Sequence, residues 1–394
     1  NGQLRKFLDI NFKKLELNNV GRLLFLSLLV GVPTGVAAAV FTWVINLSSW
    51  FCLEYLGHLI APMPGGEAHG SQLPLISGEA RRWVLFILPA LGGLISGWLV
   101  YRYAPEAEGH GTDQVIDSFH RNRGKIRLRV PFIKTIASAI TIGTGGTAGR
   151  EGPVAQVGAG LASNLADLLR LSYQERRILV VAGAGAGIGC IFRAPLGGAL
   201  FGTEVLYRDS ELEFEALMPS FMSSIIAYSV FCPLSGHGWG SIFTTGTLNF
   251  QHPTHLLLYL GLALIVYAVG RIYIEIFYSM RNRFFRRLPM PNYLKPALGG
   301  LLLGVLALVF SWLTDPTQMG AVYGAGYGYV QQVLDGKLTI YFMVLLILFK
   351  IVATSLTIGS GGSGGVFGPS IVIGGMAGGT FALICQQLFP EMIS

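Results

Sequence analysis

The chain has 394 residues, 52% of them hydrophobic and only 12% charged, against roughly 25% charged in a soluble domain. A soluble fold this poor in charge could not cover its surface with polar groups, whereas a bilayer requires lipid-facing side chains to be apolar. The net charge of +7 sits in short basic clusters between apolar runs, the pattern of cytoplasmic loops and not of a nucleic-acid-binding face.

In chain order, segment 1–22 carries Arg5, Lys6, Lys13, Lys14 and Arg22 and reads as cytoplasmic. No small-residue cleavage site follows the first apolar run, so it is not a secretory signal. Stretches near the roughly 20 apolar residues needed to cross a bilayer lie at 23–47, 83–103, 215–231, 255–277, 294–313 and 338–358. Shorter or interrupted apolar pieces lie at 130–142, 154–169, 178–188, 194–207 and 370–388. Broken helices at membrane depth are tolerated only where they are buried in protein or line a polar cavity, which implies an interior path or site. The basic loops at 120–129 and 281–287 join the N-terminus on the cytoplasmic side, and the loops at 61–78 and 233–253 face outward. Cys52, Cys190, Cys232 and Cys385 form no CxxC pair and read as small apolar residues. The chain opens on Asn1 and stops at Ser394, just after an apolar segment, and both ends are expected to be incomplete.

An internal near-copy organises the rest. Residues 134–153 read KTIASAITIGTGGTAGREGP and residues 350–369 read KIVATSLTIGSGGSGGVFGP, identical at ten of twenty positions without gaps. Glycine matching glycine does not explain Lys134/Lys350, Thr141/Thr357, Ile142/Ile358 and Pro153/Pro369 in one register. The chain therefore divides into a first transmembrane repeat at 23–253 and a second at 254–394, the latter shortened at its C-terminal end. Corresponding broken segments in two halves of a membrane protein point to a transporter-like site.

In each copy a helix stops, glycines form an irregular loop, and a new helix begins at a Gly-Pro pair. A helix start leaves N–H groups unpaired and a partial positive charge, for which a dehydrated anion is a natural partner. Weak binding of that kind suits an ion that must also leave. Glu151 breaks the symmetry, because the second copy has Phe367 there. An acid within such a stretch is a functional candidate: its carboxylate can occupy the anion's place, and protonation would remove that competition. The alternative is a salt bridge to Arg150, although adjacent residues diverge on a helix.

These residues resemble the CLC family of chloride channels and proton-coupled chloride transporters. The resemblance rests on GREGP at 149–153, on GxFxP at Gly365, Phe367 and Pro369, on the 183–189 segment and on Ala194-Pro195-Leu196, and it runs in order through nearly the whole chain. It implies an all-α polytopic membrane protein with an inverted-topology repeat of tilted and broken helices. It also implies a homodimer in the cell (inner) membrane, N-terminus cytoplasmic, each subunit with its own pore for chloride or a similar small anion. Glu151 is then the gating and proton residue. The anion-binding positions are Gly109, His110, Gly111, Arg150, Gly152, Gly365, Val366, Phe367 and Gly368, with the Val366 and Phe367 N–H groups facing the central anion. No cofactor, metal or enzymatic activity is implied.

Three departures matter. Where the family has GSGIP, this chain reads Gly109-His110-Gly111-Thr112-Asp113, so His110 replaces the anion-contacting serine; a neutral His can still donate one hydrogen bond. Coupled transporters carry an internal glutamate where this chain has Val205, the residue found in the family's channels, with Glu204 one position early as a possible proton relay. The family ends its second half with several more helices and a pore tyrosine, before which this sequence is expected to stop, so no pore tyrosine is assigned. The leading reading is thus an anion channel gated by Glu151, and the alternative is a chloride/proton antiporter using Glu151 and an unusual internal path. An intramembrane serine hydrolase built on Ser360 or Ser363 is a third reading, weakened because Thr144 and Thr147 match these serines. The intact Gly152-Pro153 pair speaks against a fluoride-handling branch.

Overall fold

Glycine and proline punctuation divides the apolar sequence into thirteen α-helices among the residues that a computed structural model describes, namely 19–67, 79–207, 212–236, 238–246, 253 and 255–389. They are α1 Asn19–Ser49, α2 Arg82–Tyr103, α3 Thr112–Arg121, α4 Arg129–Gly143, α5 Glu151–Leu168, α6 Tyr173–Ile191, α7 Pro195–Glu204, α8 Phe214–Ser235, α9 His255–Ser279, α10 Lys295–Leu313, α11 Tyr327–Leu334, α12 Ile340–Gly359 and α13 Phe367–Leu388. The leader residues Arg5, Lys6, Lys13 and Lys14 lie outside the described residues, as do parts of the two loops assigned outward.

Seven described helical segments are long and apolar enough to cross a membrane, so the protein is a multi-pass integral membrane protein. Six match the long stretches read from sequence. The seventh, α13, corrects the reading of 370–388 as an interrupted piece: the helix runs 22 residues unbroken. Its glycines lower the apolar signal without breaking the backbone, because a helical glycine in a membrane serves close packing.

The described residues form two compact units, each assembled from separated stretches of chain. One comprises Asn1–Trp43, Gly111–Thr135 and Glu151–Trp239. Its centre is the crossing of α5 and α6, both buried along most of their length. A Cβ added to Gly158 would lie 2.1 Å from the Gly183 carbonyl oxygen, and one added to Gly183 would lie 2.4 Å from that of Gly158, so backbone touches backbone. Helix α6 starts on a capping box in which Ser172 Oγ accepts from Glu175 N and the Glu175 carboxylate accepts from Ser172 N, satisfying two end donors. Gly158→Leu is expected to destabilise the protein by about 3 kcal/mol or more, since overpacking a filled contact moves backbone; a thermal unfolding midpoint in detergent measures it.

The other unit comprises Val44–His110, Ile136–Arg150 and Gly240–Ser394. Its core gathers Leu85, Leu303, Phe310, Met319, Leu346 and Met376, all fully buried. Helix α12 is the most enclosed of the spans, with 72% of its apolar window buried, whereas the span containing α9 has none. Loop residue Tyr323 is packed into this core; burial pushes its phenol well above the usual value, and its hydroxyl donates to the Leu85 carbonyl at 2.9 Å.

Candidate functional site

The two copies of the repeat adopt the same turn. In the first, Gly145 N–H donates to Ile142 O at 3.0 Å and Gly146 N–H to Thr141 O at 2.8 Å. In the second, Gly361 N–H donates to Ile358 O at 3.0 Å and Gly362 N–H to Thr357 O at 3.2 Å. Gly145 has φ +100° and Gly361 φ +99°, a backbone that glycine adopts without a Cβ penalty and that closes helix C-termini. Shared glycines at these positions are thus a geometric requirement.

The breaks then meet at equivalent residues. Gly149 N–H donates to Gly365 O and Gly365 N–H to Gly149 O, each at 2.7 Å. A residue that pairs reciprocally with its own repeat-mate lies across a local two-fold axis from it, the self-complementary contact of a symmetric interface. Side chains reinforce it: Thr147 Oγ1 donates to Val322 O at 2.7 Å, Thr147 N–H to Thr357 Oγ1 at 3.0 Å, and Ser363 Oγ to Ala107 O at 2.9 Å. Ser360 Oγ donates to Thr357 O at 2.9 Å, and Ser363 Oγ also shares a hydrogen bond with Ser138. Both hydroxyls hydrogen-bond within the loop structure.

At the base of each copy a lysine is fully buried, Lys134 and Lys350. Lys350 Nζ donates to the carbonyls of Ala321, Val322, Tyr323 and Gly324 at 3.0–3.2 Å. A buried ammonium needs such partners. Here they fix the segment on which Thr147 is anchored.

His110 and the second helix start come together. Gly364 N–H donates to Gly109 O at 3.2 Å, and glycines on both sides of His110 have positive φ, +70° at Gly109 and +92° at Gly111. His110 lines a cavity of about 470 Å³ with Val366, Ser370, Tyr273 and otherwise mainly apolar residues of α9 and α13. Val366 caps α13, whose first residue is Phe367, and Ser370 Oγ donates to Val366 O at 2.8 Å. Gly365 and Gly368 are buried and Phe367 is 40% exposed. The start of a helix beside an imidazole is an arrangement able to hold a small anion.

The first helix start carries Glu151, 2% exposed, followed by buried Gly152 and Pro153 in α5. Gly111, at the N-terminus of α3, abuts its first turn: a Cβ there would lie 2.9 Å from Gly152 O. Arg150 forms an ion pair with Glu67 and lies 5.9 Å from the Tyr327 ring centroid. Glu204 is exposed at the last position of α7, and Val205 is a half-buried cap residue. Sequence reading missed Glu67, Tyr327 and Ser370. Glu67 sits 83 positions from its partner, and no local pattern marks such a pair.

Comparison with known proteins shows the family and the fold. A family model described as voltage gated chloride channel matches residues 92–394. The H(+)/Cl(−) exchange transporter ClcA of Yersinia pestis bv. Antiqua (strain Angola) is 32% identical over 314 residues, covering 78% of this chain and 63% of that protein; the chain thus spans less than two thirds of this relative's length. ClcA of Salmonella paratyphi A is 27% identical over 381 residues, 94% of this chain and 73% of its own. In fold, the chain is similar to a slow cyanobacterial Cl−/H+ antiporter, with a TM-score of 0.76 at 24% identity over 94% of this chain and 81% of the other. It is also similar to a CLC-type fluoride/proton antiporter, with a TM-score of 0.73 at 24% identity over 95% and 84%. The matched model spans most of the chain, including both glycine breaks: this protein belongs to the voltage gated chloride channel (CLC) family.

Proposed function

We propose that this chain belongs to a chloride/proton antiporter of the cell membrane, with a cytoplasmic N-terminus, acting as a homodimer with one pathway per subunit. The observation that carries this reading is the 32% identity, over 78% of the chain, to a protein named as an H(+)/Cl(−) exchange transporter. It reverses the order suggested by Val205, which favours a channel: the alternative is now the better supported reading. Glu151 serves as gate and proton carrier. The anion is held by N–H groups at the start of α13, by His110 and by the Gly109 and Gly111 backbone, with Arg150 and Gly152 at the other helix start. Because Val205 cannot carry a proton, internal transfer uses a different group, and Glu204, the acid next to it at the end of α7, is the candidate.

The deciding experiment reconstitutes the full-length protein in liposomes and records chloride and proton flux together. An outward chloride gradient is expected to drive protons uphill, with chloride moving in fixed ratio to protons. Chloride flux without proton movement restores the channel reading. Repeating the measurement with nitrate and fluoride ranks the anions that His110 admits.

A further inference from the structure

The ion pair between Glu67 and Arg150 is almost buried, with side chains 14% and 12% exposed. It is also rigidly mounted. Glu67 N–H donates to Pro64 O at 2.9 Å, and Gly66 N–H to Ile242 O at 3.0 Å. The Gln331 side chain of α11, 7% exposed, brackets this turn: its Oε1 accepts from Gly65 N at 3.3 Å and Thr244 N at 3.0 Å, and its Nε2 donates to Thr244 O at 2.8 Å and Asp335 Oδ1 at 2.9 Å. Glu67 is therefore presented to Arg150 by a platform three elements deep. Arg150 immediately precedes Glu151, and its repeat-mate is Val366, so only one of the two helix starts has a guanidinium ahead of it.

A cation at that place would add to the helix dipole and hold an anion tightly. A transport site must also release its ion. We propose that Glu67 is a positioning residue that sets anion affinity at the pathway entrance by neutralising Arg150. This inference rests on the proposed anion transport and names a control within the same site. The loop bearing Glu67 belongs to the stretch that the charge distribution assigns to the outer face, so the effect is read from outside.

The test uses the full-length protein in liposomes, with initial chloride flux measured against outside chloride concentration. Glu67→Gln keeps the size and one acceptor oxygen and replaces the charged carboxylate by a neutral amide. It is expected to lower the half-saturating chloride concentration about threefold to fivefold and to reduce maximal turnover, with steeper salt dependence, as for one partly screened charge. Glu67→Asp, which keeps the charge, is expected to restore the wild-type half-saturation. The double variant Glu67→Gln with Arg150→Gln removes the guanidinium as well and is expected to raise the half-saturation at least to the wild-type value; a double variant that saturates as early as Glu67→Gln overturns the inference, and Glu67→Ala replaces the single variant if that fails to fold. An unchanged half-saturation in the Gln variant overturns the role of Glu67 alone. So do equal effects of Asp and Gln accompanied by lower thermal stability, which would make the pair a structural staple. Absence of chloride flux in the wild type overturns the transport reading itself and this inference with it.

Discussion

Glu151→Gln is expected to abolish proton movement, by about 10²-fold or more, the scale on which a positioned acid acts, while chloride flux persists. Glutamine is nearly isosteric with glutamate, so the first turn of α5 and its Gly152-Pro153 start stay intact. It has no exchangeable carboxyl proton and no negative charge. It therefore neither carries a proton nor competes with the anion for the N–H groups of a helix start, and flux should lose its dependence on external acid. Parallel recording of chloride and pH in proteoliposomes checks this. Retained coupling in the variant would remove Glu151 from the proton path. Glu204→Gln in the same assay asks whether the exposed acid at the end of α7 feeds protons in: coupling lost with chloride flux kept assigns it, and unchanged coupling sends the search elsewhere on the inner side.

The largest expected effect on stability is at Lys350. Lys350→Met preserves most of the side-chain length but takes a donor from four backbone carbonyls, of which Val322 O keeps Thr147 Oγ1. Each buried acceptor left unsatisfied costs about 1–3 kcal/mol, and because the losses share one segment they do not simply add. A net destabilisation of about 3–5 kcal/mol is expected. The consequence reaches the site, since Val322, one of the four, also accepts from Thr147 of the first glycine break. Thermal unfolding in detergent, read beside Lys350→Arg, measures the effect. A loss below about 0.5 kcal/mol, the range of an ordinary surface change, would mean that the 321–324 segment holds itself.

Much of this architecture was legible in the order of residues. Sparse charge and long apolar runs specified a membrane protein, because lipid penalises any exposed polar backbone. The near-copy at 134–153 and 350–369 located both breaks, with Gly145 and Gly361 at matching positions in the two copies. The asymmetry of Glu151 against Phe367 was likewise plain.

Other features depended on tertiary structure. Glycine by itself is ambiguous: Gly145 ends a helix, Gly158 lets two helices touch, and the glycines of α13 interrupt nothing. The reciprocal bonds of Gly149 and Gly365, the four-carbonyl cage of Lys350, the cavity shared by His110 and Val366, and the mounting of Glu67 on Arg150 all join residues far apart along the chain. Local periodicity and spacing record what a segment does to its own backbone. Which polar groups must satisfy one another away from water is settled only when distant segments are folded to hydrogen-bond distance.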